Sequence, residues 1–151
     1  YRRGVYIHWQ RSFLHPMLVA FDAPAREECT ASREISNTPQ QALNLLNDPS
    51  FVEAARVFAE QLIGEGTPFA ERLKTGFQRL LNRKPHPEEA AILQALYDRQ
   101  LKHYIKNPKA ANALLGVGLR PASKEANPMD LAATTAVTRA LLNLHETITR
   151  Y

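Results

Sequence analysis

With 151 residues, 44% of them hydrophobic and 23% charged, the chain has the make-up of one soluble globular domain able to bury a core. No run approaches ~20 consecutive apolar residues, which excludes a membrane-spanning helix. Cys29 is the only cysteine, which excludes an internal disulfide, a paired-cysteine zinc site and haem attachment within this chain. The net charge of +4 is uneven: residues 1–64 carry six Lys/Arg against seven Asp/Glu, and residues 65–151 carry thirteen against eight.

The first residues, Tyr1-Arg2-Arg3 with no methionine, read as the start of a piece of a longer protein. The lack of a signal peptide therefore leaves the compartment open. Residues 2–11 read as a short helix with Val5 and Trp9 inward. Residues 12–37 follow neither a helical nor a strand pattern and read as a long ordered loop with one turn near Pro24–Glu28. Helix starts follow at Thr38-Pro39, Asp48-Pro49, Thr67-Pro68, Asn107-Pro108 and Asn127-Pro128. In each pair a capping side chain can accept from an orphan backbone N–H, and proline at the first helical position has no N–H to waste. Gln41, three residues after Thr38, completes a capping box.

Helical periodicity runs on from these starts. Phe51, Ala55, Phe58 and Leu62 share one face, and Gly64 and Gly66 end that helix. Phe69, Leu73, Phe77 and Leu80 share the next. Pro87-Glu88-Glu89 opens a long helix with Leu93, Leu96, Tyr97, Tyr104 and Ile105 inward, joined to its predecessor by the turn Asn82–Pro87 as an αα-hairpin. Residues 116–126 read as an irregular connection. The last helix points Met129, Ala133, Ala136, Val137, Ala140, Leu141 and Leu144 inward, and its small residues permit close approach of a neighbour. The predicted fold is all-α: an irregular multi-helix bundle with a long ordered N-terminal loop region and an αα-hairpin, as a single helical domain over residues 1–151.

Candidate chemistry is sparse. The five histidines, His8, His15, His86, His103 and His145, form no His-Glu-x-x-His or His-x-His arrangement and read as surface residues, so no metal site is expected. Cys29 lacks a histidine partner and reads as a small buried hydrophobe, not a nucleophile. Ser12, Ser32, Ser36 and Ser50 lack a nucleophile elbow, and no Gly-rich phosphate cradle is present. Asp22, Glu27, Glu28 and Glu34 could supply a carboxylate pair for glycoside chemistry only if a cleft held them at the right separation. Arg72, Arg79 and Arg83 form one basic stripe, and Arg99, Lys102 and Lys106 another. Tyr97 and Tyr104 point to the core rather than to a stacking platform, so nucleic acid is not an expected partner.

The stretch Phe21-Asp22-Ala23-Pro24, Arg26-Glu27, Cys29, Arg33, Asn37-Thr38-Pro39, Gln41-Ala42-Leu43, Leu45-Leu46-Asn47-Asp48-Pro49 and Phe51-Val52-Glu53-Ala54-Ala55-Arg56 carries a specific resemblance. It looks like the planctomycete-specific C-terminal domain, a domain of unknown function, of planctomycete cytochrome c-type multidomain proteins. Phe77-Gln78-Arg79-Leu80-Leu81-Asn82-Arg83-Lys84-Pro85 and Ala136-Val137, Arg139-Ala140-Leu141-Leu142-Asn143-Leu144-His145-Glu146 resemble its later helices. The resemblance implies an exported, extracytoplasmic parent with an N-terminal haem-binding module, a second planctomycete-specific domain and this domain last. The present chain would be the C-terminal half of that domain. Haem is expected only in another domain of the parent, and this chain is expected to hold no cofactor.

Two readings of the Phe21–Arg56 run stand side by side. Asp22, Arg26, Arg33, Asn37 and Asp48 can cap helices and tie loop carbonyls, because buried backbone groups must be paired. Alternatively they line a polar groove for a ligand or a neighbouring domain. The leading expectation is a helical accessory or interaction domain whose partners are other domains of its parent, with no enzymatic activity in this fragment alone. The alternatives are part of a polysaccharide-acting enzyme with a shared site, and an anion-binding basic domain for which an acidic glycan is the candidate partner.

Overall fold

The computed structural model describes residues 8, 13–24, 27, 29–32, 36, 38–64 and 68–149. These hold eight helices and no strand, the all-α architecture expected. They are α1 (Pro16–Ala20), α2 (Pro39–Asn47), α3 (Pro49–Ile63), α4 (Phe69–Leu81), α5 (Pro87–Lys106), α6 (Pro108–Leu115), α7 (Pro128–Leu142) and α8 (His145–Ile148). The chain divides into two compact units, Tyr1–Asn44 and Leu45–Tyr151. No helix among the described residues is long and apolar enough to cross a membrane.

The proline-marked starts act as their chemistry dictates. Asp48 accepts from Ser50 N–H at 2.8 Å, Asn127 from Met129 N–H at 2.9 Å and Asn107 from Ala110 N–H at 3.4 Å. Each satisfies a donor that the first turn leaves orphaned. Thr38 and Gln41 bond reciprocally at 3.3 Å, which is the expected capping box. The start of α4 differs. Pro68 is itself the capping residue, without a side-chain cap bond, and Phe69 is the first helical residue; Thr67 lies outside the described residues. The expected helix over 2–11 also falls on residues of which only His8 is described. A short helix, α1, replaces part of the expected loop, and His15 Nδ1 caps it by accepting from Met17 N–H at 3.2 Å.

In the second unit α7 is the central helix, packed against α3, α4, α5, α6 and α8. Leu131, Ala132 and Ala133 are fully enclosed at its start, and Val137 and Leu141 are nearly so further on. One cluster joins Leu131 and Ala132 to Ala59, Ala111 and Leu115. The other joins Val137 and Leu141 to Leu73 and Phe77. Burying a side chain such as Phe77 completely contributes roughly 1.5–3 kcal/mol. The small residues do permit close approach: Thr138 Oγ1 donates to the Ala55 carbonyl of α3 at 2.9 Å.

Three expectations need correction. On α3 the buried apolar residues are Val52, Ala55, Ala59 and Leu62, with Phe51 and Phe58 only half-buried, because α7 sits on the small residues. On α5 Ile105 is 60% exposed; it lies about 100° round the helix from Tyr104, off the face that covers α7. Cys29 is exposed, like its described neighbours Thr30, Ala31 and Ser32, and so is not a core hydrophobe.

The hairpin turn is fixed by Asn82, whose left-handed backbone (φ 54°) ends α4. Beyond it Arg83 forks onto Glu89 (2.8 Å to both oxygens) and onto Glu146 at the start of α8 (2.8 Å). These hydrogen bonds raise the Arg83 pKa and, with the His86 backbone N–H at 2.7 Å, hold Glu89 down at about 2. A carboxyl whose folded pKa lies below its unfolded value of about 4.3 stabilises the fold above that value, and the contribution is lost as pH falls toward 2. Arg83 and Glu89 are 28% and 32% exposed, so solvent screens the pair. Glu89→Gln is therefore expected to flatten the acid limb of a stability-versus-pH curve between about pH 5 and 2, removing ~1 kcal/mol at neutral pH. Urea melts at stepped pH values check this.

Candidate functional site

Of the five residues singled out in the Phe21–Arg56 run, Arg26, Arg33 and Asn37 lie outside the described residues. Asp22 sits in the first unit with a left-handed backbone, φ 56°. Aspartate tolerates this conformation better than most side chains. Its carboxylate accepts from Ser36 N–H at 2.9 Å, from Ser36 Oγ at 2.8 Å and from Gln41 Nε2 at 3.2 Å. Gln41 is buried there and also donates to Ser36 Oγ at 3.2 Å. Asp22 thus gathers residues fourteen and nineteen positions away. Asp48 is the α3 cap already described.

The most deeply buried charges lie elsewhere. Glu53, Arg56 and Glu60 run along α3, and Glu53 and Arg56 are 3% and 0% exposed. Each stands one position after a core residue (Val52, Ala55, Ala59), so the row follows the same helical spacing on an adjoining face. That face is covered by the connection between α6 and α7. Glu53 accepts from Leu119 N–H at 2.5 Å and from Arg120 N–H at 3.2 Å. Arg56 donates to the Arg120 carbonyl at 2.5 Å and to Glu60 at 2.8 Å. Glu60 also accepts from Ser123 N–H at 3.0 Å, and the Arg120 guanidinium approaches it at 3.9 Å. The loop backbone would leave polar groups unpaired against the helix, and the row pairs them. Charges this buried persist because they are paired and hydrogen-bonded.

Two further details complete the clamp. Gly118 has φ +99° and lies so close to Glu53 that an added Cβ would stand 2.7 Å from the Glu53 Cβ. Only glycine fits both the conformation and the space. Ala122 and Ala126 turn inward onto the Ala59–Leu131 cluster, while Leu119 stands 88% exposed. A cleft of about 610 Å³ opens along this loop, walled by Leu115, Leu119, Ala122 and Pro128, with Arg120 and Lys124 on its lining.

A second polar node ties α4, α5 and α7. Asp130 accepts from Arg72 at 2.9 Å and from the Tyr97 hydroxyl at 2.8 Å. Burial first, and the bond to Asp130 second, push the Tyr97 phenol up to about 12. Its ring stacks on Phe69 with centroids 4.0 Å apart. Arg72 and Arg83, two members of one expected basic stripe, are thus committed to carboxylates. The five histidines are exposed. Among the described residues no three His, Cys, Asp or Glu side chains gather as metal ligands do.

Sequence periodicity gave no sign of the α3 row, because it scores Glu53, Arg56 and Glu60 as solvent-facing. The available signal was their spacing in step with the core positions, combined with a long irregular connection that must be held down. No curated protein and no solved structure matches the chain. A model of PSD1, described as a protein of unknown function (DUF1553), matches residues 1–97, well over half of the sequence. On that match the chain belongs to the PSD1 (DUF1553) family.

Proposed function

We propose that this chain is a helical accessory domain that docks on neighbouring domains of a longer, exported, cytochrome c-linked planctomycete protein and carries no chemistry of its own. The carrying observation is how the buried charges are used. The Glu53–Arg56–Glu60 row bonds to itself and to the backbone of residues 119–123, holding in place a loop whose tip presents Leu119 to solvent. Rigid display of an apolar residue lowers the ordering cost of association. The link to a haem-bearing, extracytoplasmic parent rests on the resemblance of the Phe21–Arg56 run; haem would be held by another domain.

The test is direct. This chain and the remaining domains of its parent are produced separately, mixed and followed by sedimentation and titration calorimetry. A one-to-one complex of micromolar or tighter affinity is expected. Independent sedimentation at high micromolar concentration would defeat the reading.

A further inference from the structure

We infer that the cleft along residues 116–126 is the docking site itself and that it receives an acidic segment, an apolar side chain entering the cleft while flanking carboxylates meet Arg120 and Lys124. This deepens the accessory-domain reading and rests on it. The argument begins with the walls. Leu115, Leu119, Pro121, Ala122, Ala126 and Pro128 make the cleft predominantly apolar, and its volume of about 610 Å³ is in the range of small-ligand and side-chain pockets. The charges on its lining are of one sign: Arg120 and Lys124, with no carboxylate among the lining residues. Arg120 is 61% exposed at its side chain, and Lys124 is exposed. The Arg120 guanidinium makes one long ion pair, 3.9 Å to the Glu60 carboxylate, and is otherwise largely open to solvent. Glu125 is exposed beside Lys124 but does not line the cleft. An apolar ligand bearing negative charge therefore complements the site, and a cationic one does not.

Preorganisation is the second support. The Arg120 backbone is held at both ends, its N–H by Glu53 and its carbonyl by Arg56, so its side chain starts from a fixed point at the rim. The Leu119 N–H is held as well, leaving the side chain outward. Association then orders little that is not already ordered.

The experiment uses amide NMR spectra of the chain with three probes. One is a peptide with one Leu and one Phe among Glu and Asp residues, one is its lysine-for-acid counterpart, and one is a sulfated oligosaccharide. The acidic peptide is expected to shift the Val117, Leu119, Arg120 and Lys124 amides saturably, with an affinity that weakens several-fold as salt is raised. The lysine peptide should leave them still. Leu119→Ser and Lys124→Glu alter exposed side chains, so both should melt like the parent chain yet weaken peptide binding about tenfold. Equal binding of the lysine peptide, shifts confined to another face, or response to the oligosaccharide alone would overturn the inference. The same variants separate it from the broader reading. If the parent's remaining domains bind the wild-type chain and both variants equally, the cleft is not the docking site but docking stands. If they do not bind the wild type, the accessory-domain reading itself fails.

Discussion

Arg56→Ala is expected to cost about 3–5 kcal/mol of folding stability, the largest effect of any single charge removal in this chain. The guanidinium is fully enclosed and bridges the Glu60 carboxylate and the Arg120 carbonyl. Truncation would take the 2.8 Å cation from the largely enclosed Glu60 carboxylate, leaving Arg120 at 3.9 Å, and would orphan a loop carbonyl. Arg56→Lys should rescue little. One ammonium on a flexible stem does not reproduce a planar fork that serves two acceptors on different elements. The double variant Arg56→Met with Glu60→Gln should recover much of the loss, because a neutral, similarly sized pair removes the uncompensated charge. Urea melts of the three variants, read as midpoint shifts at constant slope, check this. A cost below ~1 kcal/mol for Arg56→Ala would mean that the arginine is solvated in solution.

Gly118→Ala carries the second largest expected effect, about 2–4 kcal/mol. Two costs add. The backbone at φ +99° is strained for any residue with a Cβ, and the new methyl would meet Glu53 at its Cβ and Cδ, 2.7 Å away. Glu53 could move aside only by releasing the Leu119 and Arg120 amides, so the clamp would open from the loop side. Gly116→Ala is the control. Its φ is −81°, and the nearest atom to an added Cβ is the Asn112 carbonyl oxygen at 3.3 Å. A thermal melt should show a clear drop for the first variant and a far smaller one for the second.

What the sequence disclosed was local. A capping side chain followed by proline carries its own physics, so Asp48-Pro49, Asn107-Pro108 and Asn127-Pro128 marked helices α3, α6 and α7 without tertiary information. The capping box at Thr38 and the turn at Asn82 were readable for the same reason. The five-residue α1 was not, since Pro16–Ala20 is too short to show a period. Nor was the α3 row, because the amides that satisfy Glu53 come from residues 66 and 67 positions away. The same limit applies to Asp22. Its carboxylate accepts from Ser36 and Gln41, fourteen and nineteen positions on, partners that no local pattern names.

Amide hydrogen exchange tests most directly the claim that a buried charged row holds the docking loop rigid. In the wild-type chain the Leu119 and Ser123 N–H groups, though set in an irregular surface loop, should be strongly protected, because buried carboxylates accept from them. In Glu53→Gln the Leu119 amide should exchange at least ~10-fold faster, while amides in α5 keep their wild-type rates. Fast exchange at Leu119 and Ser123 in the wild type, or rates that ignore the substitution, would contradict the clamp and with it the rigid docking surface.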